Sequence, residues 1–189
     1  EMAKVATASP AGMSAVLGGD RTEVLSVLAG LNLVAANDNG AGQIVAAGDL
    51  AALAELAENP PASARVRALA VAGAFHTSYM QPALQPLRDK AVTIATYQMQ
   101  IDVISNKDGA IIKDGAELLT RIVNQIANPV RWDLCMETMI SIGVTGVIEL
   151  PPAGTLVGLL KRAATEIEVF ALRSVEDVPA AREFAERHL

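Results

Sequence analysis

Short apolar runs alternate with amphipathic stretches along the chain, and the breaks between them fall at glycine, proline and aspartate. Residues 13–18 (MSAVLG) read as a strand ended by Gly18 and Gly19. Asp20 can cap a helix over 21–29 whose apolar Val24, Leu25 and Leu28 share one face. Residues 31–37 (LNLVAAN) predict a second strand, 38–42 (DNGAG) a turn, and 43–48 (QIVAAG) a third strand. Asp49 caps a helix over 50–58, which Pro60 and Pro61 end. Residues 64–71 (ARVRALAV) alternate as a fourth strand.

That order is βαββαβ, the split βαβ or ferredoxin-like pattern. The remainder changes character. A helix is expected over 77–92, although Pro82 and Pro86 cut into it. Residues 101–106 (IDVISN) predict a strand followed by the turn KDG. Residues 115–127 have helical periodicity and stop before Pro129, and 130–143 form another amphipathic helix closed by Gly143. A buried strand over 145–150, a PPAG loop, a helix over 155–163, a strand over 167–172 and a last helix over 175–189 follow. Strands alternating with helices predict a layered α/β domain. Residues 1–8 suit the last turns of a helix, closed by the SPAG breaker, and the missing initiator methionine suggests a truncated chain.

The 189 residues suffice for one sizeable core or two small ones. Hydrophobic residues make up 51% but aromatics only 3%, so alanine, leucine and valine carry that core. No apolar run is long enough to span a membrane and no signal peptide opens the chain. The single cysteine, Cys135, excludes an internal disulfide and fits a cytoplasmic setting. The net charge of −6 argues against a nucleic-acid binder. The basic pairs Arg65 with Arg67 and Lys161 with Arg162 read as solvated charge, or as a local docking patch for an acidic partner.

Candidate chemistry centres on residues 71–84 (VAGAFHTSYMQPAL). An apolar run stops at His76, one of two histidines, and Thr77, Ser78 and Tyr79 follow. Strand ends and the loops after them are where α/β folds place reactive groups, and histidine is the usual base for a hydroxyl or thiol. The alternative is a structural histidine. No nucleophile accompanies it. Ser14, in GMSAV, lacks the final glycine of a strand–turn–helix elbow. Thr77 and Ser78 lie too close along the chain, and Cys135 sits on a predicted helix as a buried thiol. Gly40 and Gly42 do not complete a dinucleotide fingerprint, and no metal-ligand spacing exists. At ELPPAGTLVGLLKR the backbone N–H groups of a helix start could face an anion, or could simply be capped.

GMSAVLGG, NGAGQIVAAG, VAGAFHTSYMQPAL, ISNKDG, NQIANPVRW and ELPPAGTLVGLLKR occur here in order. Together they resemble the malonyl-CoA:acyl-carrier-protein transacylases of bacterial, and more narrowly actinobacterial, fatty-acid synthesis. The resemblance implies a large α/β-hydrolase-like subdomain with a ferredoxin-like one inserted. It divides the chain at 1–10 (end of a large-subdomain helix), 11–72 (small subdomain) and 73–189 (C-terminal part of the large one). It implies that His76 is the catalytic base, held by the main-chain carbonyl of Gln125, whose side chain then matters little. Phe75 would stand where malonyl-selective members carry phenylalanine, and Asn106 would line the same pocket. The substrates implied are malonyl-CoA and phosphopantetheinylated acyl carrier protein, with no cofactor or metal, in a cytoplasmic, monomeric parent.

The family's GHSxGE nucleophile motif does not occur in the 189 residues. Nor do the N-terminal glutamine of the oxyanion hole or the arginine that pairs with the malonyl carboxylate, expected just upstream of EMAK. The sequence therefore supports an acyltransferase piece that is inactive alone. Its alternatives are a non-catalytic carrier-docking module and a fragment of a larger polyketide or fatty-acid synthase.

Overall fold

A computed structural model describes residues 1–8 and 10–189; Ser9, in the SPAG breaker, lies outside the described residues. After a short helix α1 (Met2–Ala6), the chain forms β1 (Ala11–Gly18), α2 (Arg21–Gly30), β2 (Val34–Asp38), β3 (Gln43–Asp49), α3 (Leu50–Glu58) and β4 (Ala64–Ala68). The βαββαβ order is present, and the strands lie β4-β1-β3-β2, all antiparallel. Both helix starts are fixed as the aspartates dictate. Asp20 accepts from the Glu23 N–H at 3.0 Å and Asp49 from the Ala51 N–H at 2.8 Å.

Side chains alternate across this sheet. Val16, Ile44 and Ala46 face α2 and α3, where Val24, Leu28, Leu53 and Leu56 complete a dry core. Met13, Val45 and Ala47 point the other way and pack with Ala74 and Phe75. Register puts two rows on that second face: Arg65 beside Leu17 beside Gln43, and Arg67 beside Ala15 beside Val45 beside Asn37. One face is thus a helix-covered core and the other a wall.

The second part of the chain supplies the opposing wall. It comprises α4 (Leu84–Ala91), β5 (Gln98–Ile104), β6 (Ile111–Asp114), α5 (Gly115–Gln125), β7 (Val130–Arg131), α6 (Trp132–Ser141), β8 (Gly146–Glu149), α7 (Thr155–Ala163), β9 (Glu168–Ala171) and α8 (Val178–Arg187). β7 pairs in parallel with β2 and so ties the two parts into one sheet. β5 with β6, and β8 with β9, form separate two-stranded sheets.

Several expectations need correction. The helix expected over 77–92 begins as a 3-10 segment, Ser78–Ala83, because Pro82 has no N–H to give. Pro86 sits in the first turn of α4, where no intrahelical N–H is needed. The strand over 64–71 ends at Ala68. The one expected over 31–37 starts only at Val34, after Asn32 turns with φ 53°. Residues 130–131 are strand rather than helix, and β6 was not expected at all. Residues 146–148 of the expected buried strand are only half-buried, since β8 has one neighbour.

The outer edges of the two small sheets have no strand partner among the described residues. Around β5 the apolar side chains of Val92, Tyr97 and Ile101 are 86%, 80% and 79% exposed. Open edges beside exposed apolar groups favour association. The isolated chain should therefore self-associate and bind a hydrophobic dye, and Ile101→Lys should reduce both. Sedimentation showing a dye-free monomer with a sharp, concentration-independent melt would contradict this.

Candidate active site

Residue 76 follows a tight approach of backbone to α1: a Cβ on Gly73 would lie 2.9 Å from that of Ala6. The chain then turns sharply, and His76 adopts φ 61°. A left-handed conformation costs a non-glycine residue about 1–2 kcal/mol. Two hydrogen bonds to the end of α5 offset it. The His76 N–H donates to the Ile126 carbonyl at 3.0 Å, and the ring Nδ1 lies 2.8 Å from the Gln125 carbonyl oxygen. A carbonyl only accepts, so in the neutral ring Nδ1 carries the proton and Nε2 keeps its lone pair. No other hydrogen bond to the ring occurs among the described residues.

The polar residues after His76 are structural. Thr77 is buried; its hydroxyl donates to the Ala74 carbonyl at 2.7 Å and accepts from the Tyr79 N–H at 3.2 Å, capping the 3-10 segment. Ser14 is buried within β1. Cys135 is 1% exposed, and its thiol donates to the Ser105 carbonyl. Burial, with Asp133 and Asp108 nearby, pushes its pKa up to about 11, so it stays a protonated, inert thiol.

His76 lines a cleft of about 920 Å³ between the two walls. Asn37, Gln43 and Val45 face it from the sheet, and Phe75 stands beside His76. Asn106 lies on the loop after β5 and also lines it; its carbonyl accepts from the Arg131 N–H at 2.7 Å, which fixes that loop. The structure thus brings His76, Gln125, Phe75 and Asn106 to one region.

Sequence reading missed Arg121 in this cleft. Its guanidinium bonds Asp108 at 2.7 Å, Glu117 at 2.8 Å and the Ser105 hydroxyl at 3.2 Å. The Glu117–Arg121 spacing of four was the one available signal. Trp132 also lines the cleft, and its indole N–H is buried without a hydrogen-bond partner among the described residues.

No family model matches the chain. The malonyl CoA-acyl carrier protein transacylases of Mycobacterium tuberculosis and Mycobacterium bovis are 53% identical to it over 178 residues, 94% of this chain and 59% of theirs. That of Mycolicibacterium smegmatis is 49% identical over 94% of this chain and 63% of its own length. The chain is homologous to the malonyl CoA-acyl carrier protein transacylases. It spans about three-fifths of the length of these relatives. The crystal structure of MCAT from Mycobacterium tuberculosis superposes with a TM-score of 0.91 at 52% identity, covering 95% of this chain and 59% of that one. The complex of a type II PKS acyl-carrier protein with its malonyl-transacylase contains a chain 26% identical, with a TM-score of 0.86, covering 96% of this chain and 61% of that one. No helix among the described residues is long and apolar enough to cross a membrane.

The ELPPAG loop is not an open anion site here. The anion is Glu149 itself. Its carboxylate accepts from the N–H groups of Gly154, Leu156 and Val157, each at 2.9 Å, and so caps α7. Burial alone would push its carboxyl up, but those bonds outweigh it and hold the pKa below the ordinary 4.5. A lowered pKa means stability present above 4.5 and lost as pH falls through the folded-state value. Glu149→Gln should lower stability at neutral pH by about 1–3 kcal/mol, the cost of disrupting buried charge-assisted bonds. The gap from wild type should close as both are acidified, in melting curves across that range. A gap that stays constant with pH would remove the cap from the argument.

Proposed function

We propose that this chain carries the base and part of the acyl pocket of a malonyl-CoA:acyl-carrier-protein malonyltransferase. The observation that supports it most is the 2.8 Å contact from His76 Nδ1 to the Gln125 carbonyl, which leaves Nε2 free in a residue lining the cleft. In the reaction a serine hydroxyl attacks the malonyl thioester carbonyl. The C–O bond forms, the C–S bond breaks, and the serine proton passes through His76 Nε2 to the departing coenzyme A thiolate. The phosphopantetheine thiol of the carrier then reverses each step. The thioester is already activated, so the chemistry needs no resident cofactor or metal.

The carrier is an acidic partner by this reading, and the sheet offers it a basic approach. Arg65 and Arg67 are exposed on the same face as Gln43 and Val45. Arg162 at the end of α7 donates to the Gln43 side-chain oxygen at 2.9 Å, which brings a third cation to that face. Complementary charge of this kind sets association rate more than final affinity.

The serine is the missing part. No serine, threonine or cysteine side chain is hydrogen-bonded to the His76 ring among the described residues. The 189 residues alone should therefore form no covalent malonyl adduct with radiolabelled malonyl-CoA; label surviving denaturation would refute this. Joined to the portion of the Mycobacterium tuberculosis relative that this chain does not span, it should transfer malonyl. In that chimera His76→Ala should cut kcat by roughly 10²–10⁴-fold with little change in KM. Equal activity of the variant would remove His76 from the role of base.

Phe75, beside the base, would fill the space where a methylmalonyl group carries its extra methyl. One methyl is worth roughly ten- to two-hundredfold in discrimination. Phe75→Ser in the chimera should raise the relative kcat/KM for methylmalonyl-CoA by that order and slow malonyl transfer. An unchanged ratio with a lower Tm would make Phe75 a packing residue only.

A further inference from the structure

Gln125 does two things at once. Its carbonyl accepts from the His76 ring, while its side-chain amide donates to the carbonyls of Asn128 and Pro129, each at 2.8 Å. α5 ends at Gln125, so its carbonyl is among the last four, which have no partner unless the helix continues. The donor that one further turn would bring is the backbone N–H of residue 129. That residue is proline and has none. The Asn128 N–H donates to the same oxygen in a long 3.3 Å bond, which occupies one of its two lone pairs. The remaining lone pair is therefore left for the imidazole, and a further N–H at 129 would compete for it.

We propose that the Gln125 side chain and Pro129 are positioning residues for His76. The amide pins the 126–129 turn, and the missing N–H at 129 reserves the Gln125 carbonyl for Nδ1. This rests on reading His76 as the base, and it names what keeps that base in the right tautomer. With Nδ1 unpartnered, the proton is free to sit on Nε2, where it blocks proton uptake. The family resemblance left the Gln125 side chain little to do; this geometry gives it a part in the chemistry, acting through the ring.

A merely structural cap would move stability and leave the tautomer alone, so the tautomer is the measurement. Imidazole ¹⁵N spectra of the 189-residue chain, labelled at histidine and recorded with the rings neutral, contain two rings. His188 is the internal reference: its Nε2 lies 3.1 Å from the Glu168 carboxylate and its Nδ1 2.9 Å from the Thr145 hydroxyl, so its proton sits on Nε2. In the wild type His76 should be the opposite, Nδ1–H form. Gln125→Glu is nearly isosteric but its carboxylate cannot donate to two carbonyls. It should abolish the predominance of the Nδ1–H signal of His76 and leave His188 unchanged. Pro129→Ala keeps the amide and restores the competing N–H, and should shift His76 the same way, so the test stands even if Gln125→Glu does not fold. Folded variants that both retain the Nδ1–H form overturn the proposal. A wild-type His76 protonated on Nε2 overturns instead the reading of His76 as base, which separates the two failures.

Discussion

The pair of hydrogen bonds from residue 76 to the end of α5 holds the site together. They tie the segment that leaves the ferredoxin-like sheet to a helix 49 positions further along the chain. Without them the left-handed backbone of His76 loses both of its hydrogen bonds to the end of α5. Each bond contributes about 0.5–1.5 kcal/mol net against a strain of about 1–2 kcal/mol, so the two together are on the scale needed to offset it. The strain and its compensation are thus coupled to where the ring points. That is the usual arrangement at a functional position, where surrounding contacts over-determine an unfavourable dihedral.

The cleft depends on a second constraint, the alternation of side chains across the small sheet. Because α2 and α3 cover one face, the other must be covered by something else or exposed. Phe75, Tyr79 and Ala74 cover part of it, and the remainder becomes cleft wall. β7 then fixes the distance between the walls by pairing with β2 at Asn37 and Asp38. The Arg21–Asp38 ion pair at 2.8 Å and the Gly40 N–H on the other Asp38 oxygen hold that strand end from the helix side. Two residues of strand therefore do much of the work of joining the sheet to the rest.

The helices and strands of the first part were legible because their signals are local. Aspartates precede α2 and α3, DNGAG marks a hairpin, and apolar periods of two and 3.6 are intact. Legibility fails where a long-range partner decides. Residues 130–131 continue a helical pattern but pair with β2, 93 positions earlier at Asn37 against Val130. β6 is four residues long and runs straight into the Asp114 cap of α5, so its two isoleucines, between the KDG turn and the helix start, form too short a run to mark a strand. His76 could be singled out from its place at the end of an apolar run. Its partner came only through the family resemblance, because no spacing rule connects residue 76 to a carbonyl at 125. The Gln125 amide contacts and the part of Glu149 in capping α7 were not marked by sequence pattern: the amide reaches main-chain carbonyls of the next turn, and Glu149 reaches past Pro151 and Pro152 to the N–H groups that start α7.

What distinguishes His76 from several other polar residues nearby is that their valences are already taken. Thr77 serves the Ala74 carbonyl and the Tyr79 N–H, Glu149 serves the first turn of α7, and the Gln125 amide serves two loop carbonyls. Arg121 is engaged by two carboxylates and a serine, and Cys135 is raised out of reach of ionisation. Each of these groups stabilises the main chain or a neighbour and has little left to offer a substrate. Nε2 of His76 is different: the rest of its ring is committed, and that commitment is what leaves the last nitrogen as a lone pair facing no protein partner among the described residues. A structural histidine would be expected to have both nitrogens engaged, as His188 does with Thr145 and Glu168. The contrast between the two histidines of one chain is a physical argument for function at residue 76, and it stands independently of any likeness to other proteins.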